Sequence, residues 1–285
     1  MNGRTAVIAT LIALGALASI AAFAPEPPVT LVVCAPGYPG STAEAQPAMD
    51  ALAAAVGAGA GWKRAQLKAI YFETEQTGLD RLAASDAALL LAPLPLWLKH
   101  RGGLALQPHL QAVEEGGEAA EAWTLVAPSG AVTGPAGLAG FELTSIAGYS
   151  PRFIRGTVLG GWGELPPTVT IAFSNAVVSG LRRASAGGKV AVLLDRAQAA
   201  ALPTLPFAAR LQVVTRSMPL PVSVLSVVRG RLPAARLASL LKGFTTLTGA
   251  PAGRDALAGV RLARFVPADQ AALVRARDLF ARAKD

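Results

Sequence analysis

The chain carries a single cysteine, Cys34, and two histidines, His100 and His109, so an internal disulfide is impossible and a histidine-rich metal site lacks ligands. Disulfide scaffolds, zinc ribbons and histidine-bound zinc hydrolases are thereby excluded. Charged residues make up 15% of the 285 and the hydrophobic set 52%, the opposite of a disordered polyelectrolyte. Aromatics are scarce at 6%, and they do not alternate with arginines as a nucleic-acid stacking platform requires. The 29 glycines and 21 prolines lack the period of collagen. No G-x-S-x-G elbow occurs, and Gly187-Gly188-Lys189 lacks the flanking residues of a phosphate loop. What is present is a Gly/Ala-rich chain long enough for one large domain or two smaller lobes.

The formal net charge of +8 is unevenly spread along the chain. Residues 25–150 hold six Lys and Arg against twelve Asp and Glu, whereas residues 151–285 hold nineteen against six. The arginines are dispersed, which reads as a solvated basic face with no nucleic-acid partner. The acids Glu114, Glu115, Glu118 and Glu121 read as the wet face of a helix.

Arg4 is the sole charged side chain before the apolar run Ala6 to Ala24, the layout of a secretory signal. As a helix this run would reach about 28 Å, so it could also remain as an anchor. Residues 1–24 are thus expected to be a signal peptide or membrane anchor that places the protein in the periplasm or outside the cell.

Beyond the spacer Pro25 to Pro28, short β-branched runs alternate with helical patterns. Strands are expected at Val29–Cys34, Leu67–Phe72, Asp86–Ala92, Trp123–Ala127, Glu142–Ala147, Val169–Phe173, Lys189–Leu194, Leu211–Thr215 and Val222–Val228. Helices are expected from Ser41 to Val56, Gln76 to Ala84, Ser174 to Ala184, Leu232 to Thr248 and Pro267 to Lys284. Such alternation predicts α/β architecture with mostly parallel sheets. The Gly/Pro stretch from Pro128 to Gly140 coincides with the change of charge sign and predicts two lobes, the first begun by residues 25–127, the second formed by 128–218, with 219–285 returning to the first.

In open α/β sheets ligands bind beyond the carboxyl ends of strands, where loops enter helices. Ser41 and Glu44 have capping-box spacing, as do Asp195 and Gln198; Ser150 is placed to cap a helix begun by Pro151. Free N–H groups at such ends favour anions, with hydroxyls available at Ser41, Thr42 and Ser150. Arg152, in a first turn where the dipole disfavours a cation, would be compensated by a bound anion. Tyr38, Tyr71 and Tyr149 are the only tyrosines, all at loops or strand ends, and offer large contact area with a polar tip. Asp195 would orient an amine or a hydroxyl.

The strand entering Ala35 to Asp50, followed by Ser85 to Pro93, resembles the phosphate/phosphonate-type solute-binding proteins of ABC importers. The resemblance implies the type 2 periplasmic-binding fold, two lobes joined by crossover strands, here Trp123–Ala127 and a strand within Gln212–Val228. A small-molecule ligand is then expected between the lobes, held by Tyr38, Ser41 and Thr42 from one side and Tyr149, Ser150 and Arg152 from the other, with Tyr71 and Asp195 as further candidates. Neither cofactor nor catalytic step is implied, and the partner would be an ABC permease in the inner membrane. Leu94 to Trp97 and Ala147 to Pro151 offer few oxyanion donors, so the ligand stays open between a phosphonate-like and another anionic or zwitterionic molecule. Two other readings stay open: an anchored sensor or scaffold without transport, and an exported transferase or hydrolase using Asp195 or Glu73 as base.

Overall fold

The computed structural model describes residues 27–284. The apolar segment expected to direct export lies outside the described residues. Among those described, no helix is long and apolar enough to cross a membrane.

The chain opens as strand β1 (Val29–Cys34), helix α1 (Thr42–Gly59), β2 (Leu67–Phe72), α2 (Glu75–Ala83), β3 (Ala87–Pro93) and α3 (Leu94–His100), then runs through β4 (Leu106–Glu114). A two-residue bridge, β5 (Ala120–Glu121), leads to β6 (Thr124–Pro128) and β7 (Glu142–Ser145). A π-helical turn at Phe153–Val158 precedes β8 (Thr170–Phe173), α4 (Val177–Ser185), β9 (Val190–Leu194), α5 (Arg196–Ala201) and β10 (Leu211–Arg216). The return passes through β11 (Leu220–Pro221) and β12 (Ser223–Val228) to α6 (Ala234–Thr245), α7 (Pro251–Gly259), β13 (Leu262–Pro267) and α8 (Gln270–Arg282).

Two main sheets result. The first has the order β13-β4-β12-β3-β1-β2 and the second β10-β6-β9-β7-β8. Each has a parallel trio, β2-β1-β3 and β8-β7-β9, and every other strand pairs antiparallel. The antiparallel neighbours arise because β12 and β6 enter their sheets from the opposite lobe. The small β11-β5 ladder, Leu220 opposite Glu121, marks where the two chain passages run side by side.

Local sequence explains the first lobe. Ser41 caps α1 by accepting the Glu44 amide while the Glu44 carboxylate accepts the Ser41 amide at 2.8 Å, the reciprocal box expected from the spacing. The helix buries Met49, Leu52, Ala53 and Val56 on one stripe. In β1, Val29 and Leu31 face the core beneath α1, α6 and α7, whereas Val32 and Cys34 face the opposite core, as period-two alternation dictates. β3 is buried on both faces, so its run is continuously apolar. Asp86, at its start, is gripped by Arg81 at 2.6 Å and by the Thr30 hydroxyl at 2.6 Å.

The core on the α2 and α3 side of the first sheet is continuous with that of the second lobe through Trp97, Trp123, Phe153, Leu220 and Leu273. Trp123 and Phe153 meet edge to face at 5.6 Å. Helix α8 spans both lobes. At its start Ala268 N–H donates to the His109 carbonyl in β4 at 3.0 Å and Asp269 N–H to the buried Gln111 side chain. Farther along, Thr157 donates to the Ala276 carbonyl at 3.3 Å, and Arg152 donates to those of Ala283 at 3.1 Å and Ala281 at 3.3 Å.

Several expectations are corrected. The acid run is no helix: Glu114 ends β4, and Glu121 lies in β5, 6% exposed, because the chain is extended where it crosses between lobes. The strand expected as a crossover, Trp123–Ala127, corresponds to β6, which arrives from the first lobe and takes its place in the second sheet between β9 and β10. Leu94–His100 is a buried helix, which the two prolines had masked. The charge asymmetry along the chain is folded away: residues 219–284 bring eleven Lys and Arg beside the ten Asp and Glu of residues 27–121.

Candidate functional site

The order β2-β1-β3 places a switch point where the loops after β1 and β3 diverge, and β8-β7-β9 does the same for the loops after β7 and β9. These four strand ends carry Tyr38, Pro93, Tyr149 and Asp195, and the fold turns them toward one another. Tyr38 shows the convergence. Burial pushes its phenol well up, and Asp195 of the second lobe, with Glu121 and Glu114, pushes it further.

The centre of the junction is nearly full. Tyr38, Pro93, Pro95, Glu121, Trp123, Ile146, Ala147, Tyr149 and Val222 leave a void of about 10 Å³, room for about one water. Tyr149 reaches into it from the loop after β7. Its ring meets Phe173 at 6.0 Å, its hydroxyl faces the Leu96 amide, and burial pushes its pKa well up. Lys99 donates to its carbonyl at 3.0 Å and to Glu75 at 3.0 Å, and Glu75 also contacts His100 at 2.6 Å.

Beside this centre opens a cleft of about 1220 Å³ walled by both lobes. The first lobe contributes Tyr38, Tyr71, Glu44, Glu114, Glu115, Arg261 and an apolar floor including Met49 and Leu52; the second contributes Asn175, Asp195, Arg196 and Gln198. Acids outnumber bases along its wall. Arg196 is already paired with Glu114 at 2.9 Å, and its amide donates to Glu121 at 3.0 Å. Burial pushes the Glu121 carboxyl up to about 7, with Asp195 and Glu114 adding to the effect and the Arg196 amide opposing it. Asp195 is raised by burial as well, partly offset by the Gln198 amide that it caps at 2.8 Å.

The residues singled out from sequence therefore divide. Tyr38, Tyr71 and Asp195 line the cleft, and Tyr71 donates to the Tyr38 carbonyl at 3.4 Å. Tyr149 reaches the junction but fills it. Ser41 and Thr42 stand at the α1 terminus with their hydroxyls donating to Glu44 at 2.8 Å and Glu73 at 3.0 Å, so acids of the chain occupy that anion-favouring end. Ser150 is buried, with its hydroxyl unpartnered among the described residues and no capping bond made. Arg152 is not among the residues lining the cleft and stacks over Phe280 of α8 at 5.1 Å; its guanidinium donates to helix-terminal carbonyls. Glu114, Glu121, Arg196 and Arg261 escaped the sequence reading. The adjacency of Arg196 to the Asp195 cap was the one signal that could have found any of them. Among the described residues no group of three or more His, Cys, Asp and Glu is placed to hold a metal ion.

Paired α/β lobes, each with a parallel trio of order 2-1-3 and an antiparallel strand received from its partner, define the type 2 periplasmic-binding fold. No protein-family model and no curated protein matches the chain, but solved structures do. XAC2383 from Xanthomonas citri, in a form bound to chloride, superposes with a TM-score of 0.67 at 15% identity over 88% of this chain and 96% of its own. A binding protein component of an ABC phosphonate transporter from Pseudomonas aeruginosa gives 0.62 at 14% identity, covering 89% of this chain and 86% of its own. PhnD1 from Prochlorococcus marinus, in complex with methylphosphonate, gives 0.61 at 12% identity over 89% and 97%. The likeness to the phosphonate-type proteins expected from the sequence is one of fold.

Proposed function

We propose that the chain is an exported solute-binding protein that takes a small zwitterionic molecule into the cleft between its lobes and delivers it to an ABC importer. The observation that carries this reading is the cleft of about 1220 Å³, lined from both lobes by tyrosines, a few charged groups and an apolar floor, the composition of a ligand site. The acid surplus, and the capture of the Ser41 and Thr42 hydroxyls by Glu44 and Glu73, favour a ligand with an ammonium group over a simple anion. Export is supported by the arrangement of Arg4 and the apolar run Ala6 to Ala24. The fold is shared with transporter binding proteins, which supports the importer as partner.

Calorimetric titration of the purified protein with zwitterionic, anionic and cationic solutes tests the reading. Saturable binding of zwitterions with micromolar dissociation constants, about −8 kcal/mol, is expected. Preference for simple anions would overturn the ligand class, and failure of every class would overturn solute binding.

A second reading has its own observation. The void at the lobe junction is about 10 Å³ and the cores of the lobes are continuous, as in a sensor or scaffold module whose lobes stay shut. Small-angle scattering profiles identical with and without saturating solute would favour it.

A further inference from the structure

We infer that the ligand docks away from the filled lobe junction, in the outer cleft, with its anionic group on Arg261 and its ammonium group against Glu115 and Asp195. The inference rests on the solute-binding reading and names the two poles of its site. Arg261 follows the last turn of α7 with φ of 57°, in the left-handed region where glycine is usual after a helix. Its amide donates to the Ala258 carbonyl at 3.0 Å and its own carbonyl accepts the Glu115 amide at 3.1 Å, so the turn is fastened to the end of β4. Among the described residues two other non-glycine positions share such a backbone, Ala65 and Ala105, but neither has a functional group and neither lines the cleft. Only at position 261 does the conformational cost bring a charge to the cleft wall.

The ionic accounting points the same way. Glu44 is held by Ser41, Asp195 caps Gln198, and Glu114 is paired with Arg196. Arg261 and Glu115, both exposed, have no ion pair among the described residues, with each other or with a third group. They present an open positive and an open negative charge on the first lobe's wall of the cleft, whose other wall carries Asp195 and Gln198. Val260, Leu262, Ala48 and Met49 lie beside them, a surface for a short aliphatic spacer. A molecule with a carboxylate or sulfonate at one end and an ammonium at the other satisfies both poles. One with a single charge leaves a pole unmet.

The test is calorimetry with taurine and short ω-amino acids, compared with alkyl sulfonates, fatty acids and alkylamines of equal length. The zwitterions are expected to bind at least about tenfold more tightly than either singly charged set. Arg261→Gly removes the guanidinium while relaxing the backbone, so the variant should fold with undiminished stability and bind zwitterions about tenfold more weakly; Arg261→Lys, which keeps the charge, should recover most of the loss. Zwitterion binding unchanged in Arg261→Gly would overturn this docking mode while leaving the solute-binding reading in place. No binding by any solute would overturn both.

Discussion

The ammonium of Lys99, on α3 of the first lobe, donates to the carbonyl oxygen of Tyr149, in the loop after β7 of the second, at 3.0 Å. The same ammonium lies 5.9 Å from the Tyr149 ring centroid. One lobe thus holds both the backbone and the side chain of the residue that fills the junction.

Tyr149→Ala should therefore enlarge the central void and weaken the contact between lobes. Truncating a large aromatic packed in this way costs about 3 kcal/mol, measurable as a lower urea midpoint. Scattering should show a larger radius of gyration. An unchanged midpoint would mean that the ring contributes no packing energy.

Stability should depend on pH through Glu121. Its carboxyl is raised to about 7, well above the ordinary glutamate value, so the folded state holds a proton that the unfolded state releases. The contribution is complete below about pH 4.5 and is lost as pH rises through about 7, amounting to about 3 kcal/mol. Glu121→Gln should flatten the urea midpoint between pH 5 and pH 8, in steps of about one unit, and raise it at the alkaline end. A wild-type midpoint that climbs across that window would contradict the assignment.

Arg152→Ala should leave solute affinity unchanged, because the guanidinium serves the end of α8. Its effect should appear as faster hydrogen exchange in the last turns of α8 and a loss of about 1 kcal/mol. Gly156→Ala strikes the same contact, since a Cβ there would lie 2.5 Å from that of Ala283 and 2.6 Å from the Leu279 carbonyl oxygen. It should cost about 2 kcal/mol. Weakened binding with α8 exchange unchanged would return Arg152 to the ligand site.

Cys34 is fully buried, and burial, with the Glu75 charge adding, pushes its thiol up to about 12. It should resist thiol reagents at pH 8 in the folded protein and react once urea unfolds the chain. Rapid labelling without denaturant would show that the α2 side of β1 opens.

The elements visible in the sequence were those whose evidence is local. Ser41 with Glu44 and Asp195 with Gln198 announce helix starts because a capping box is complete within four residues. Val29–Cys34 and Leu67–Phe72 have the bounds expected because turn residues flank them. β4 and β13 went unread, since their strand character comes from pairing with each other and with β12, far away in the chain. The site was half legible for the same reason. Tyr38 and Asp195 could be placed at strand ends by pattern, whereas the burial of Glu121 follows from how two chain passages lie together. Arg152 misled because a cation in a first turn looks uncompensated until α8, more than a hundred residues later, supplies the carbonyls.

Helix α8 works as a belt buckled at both ends, to β4 of the first sheet and to Arg152, Gly156 and Thr157 on the second lobe. Any swing that parts the lobes must stretch or unbuckle it. On the solute-binding reading, the ease of release would thus be set partly by residues that never meet the solute. A change at Gly156 or Ala283 would alter how readily the lobes part, leaving the chemistry of the cleft untouched.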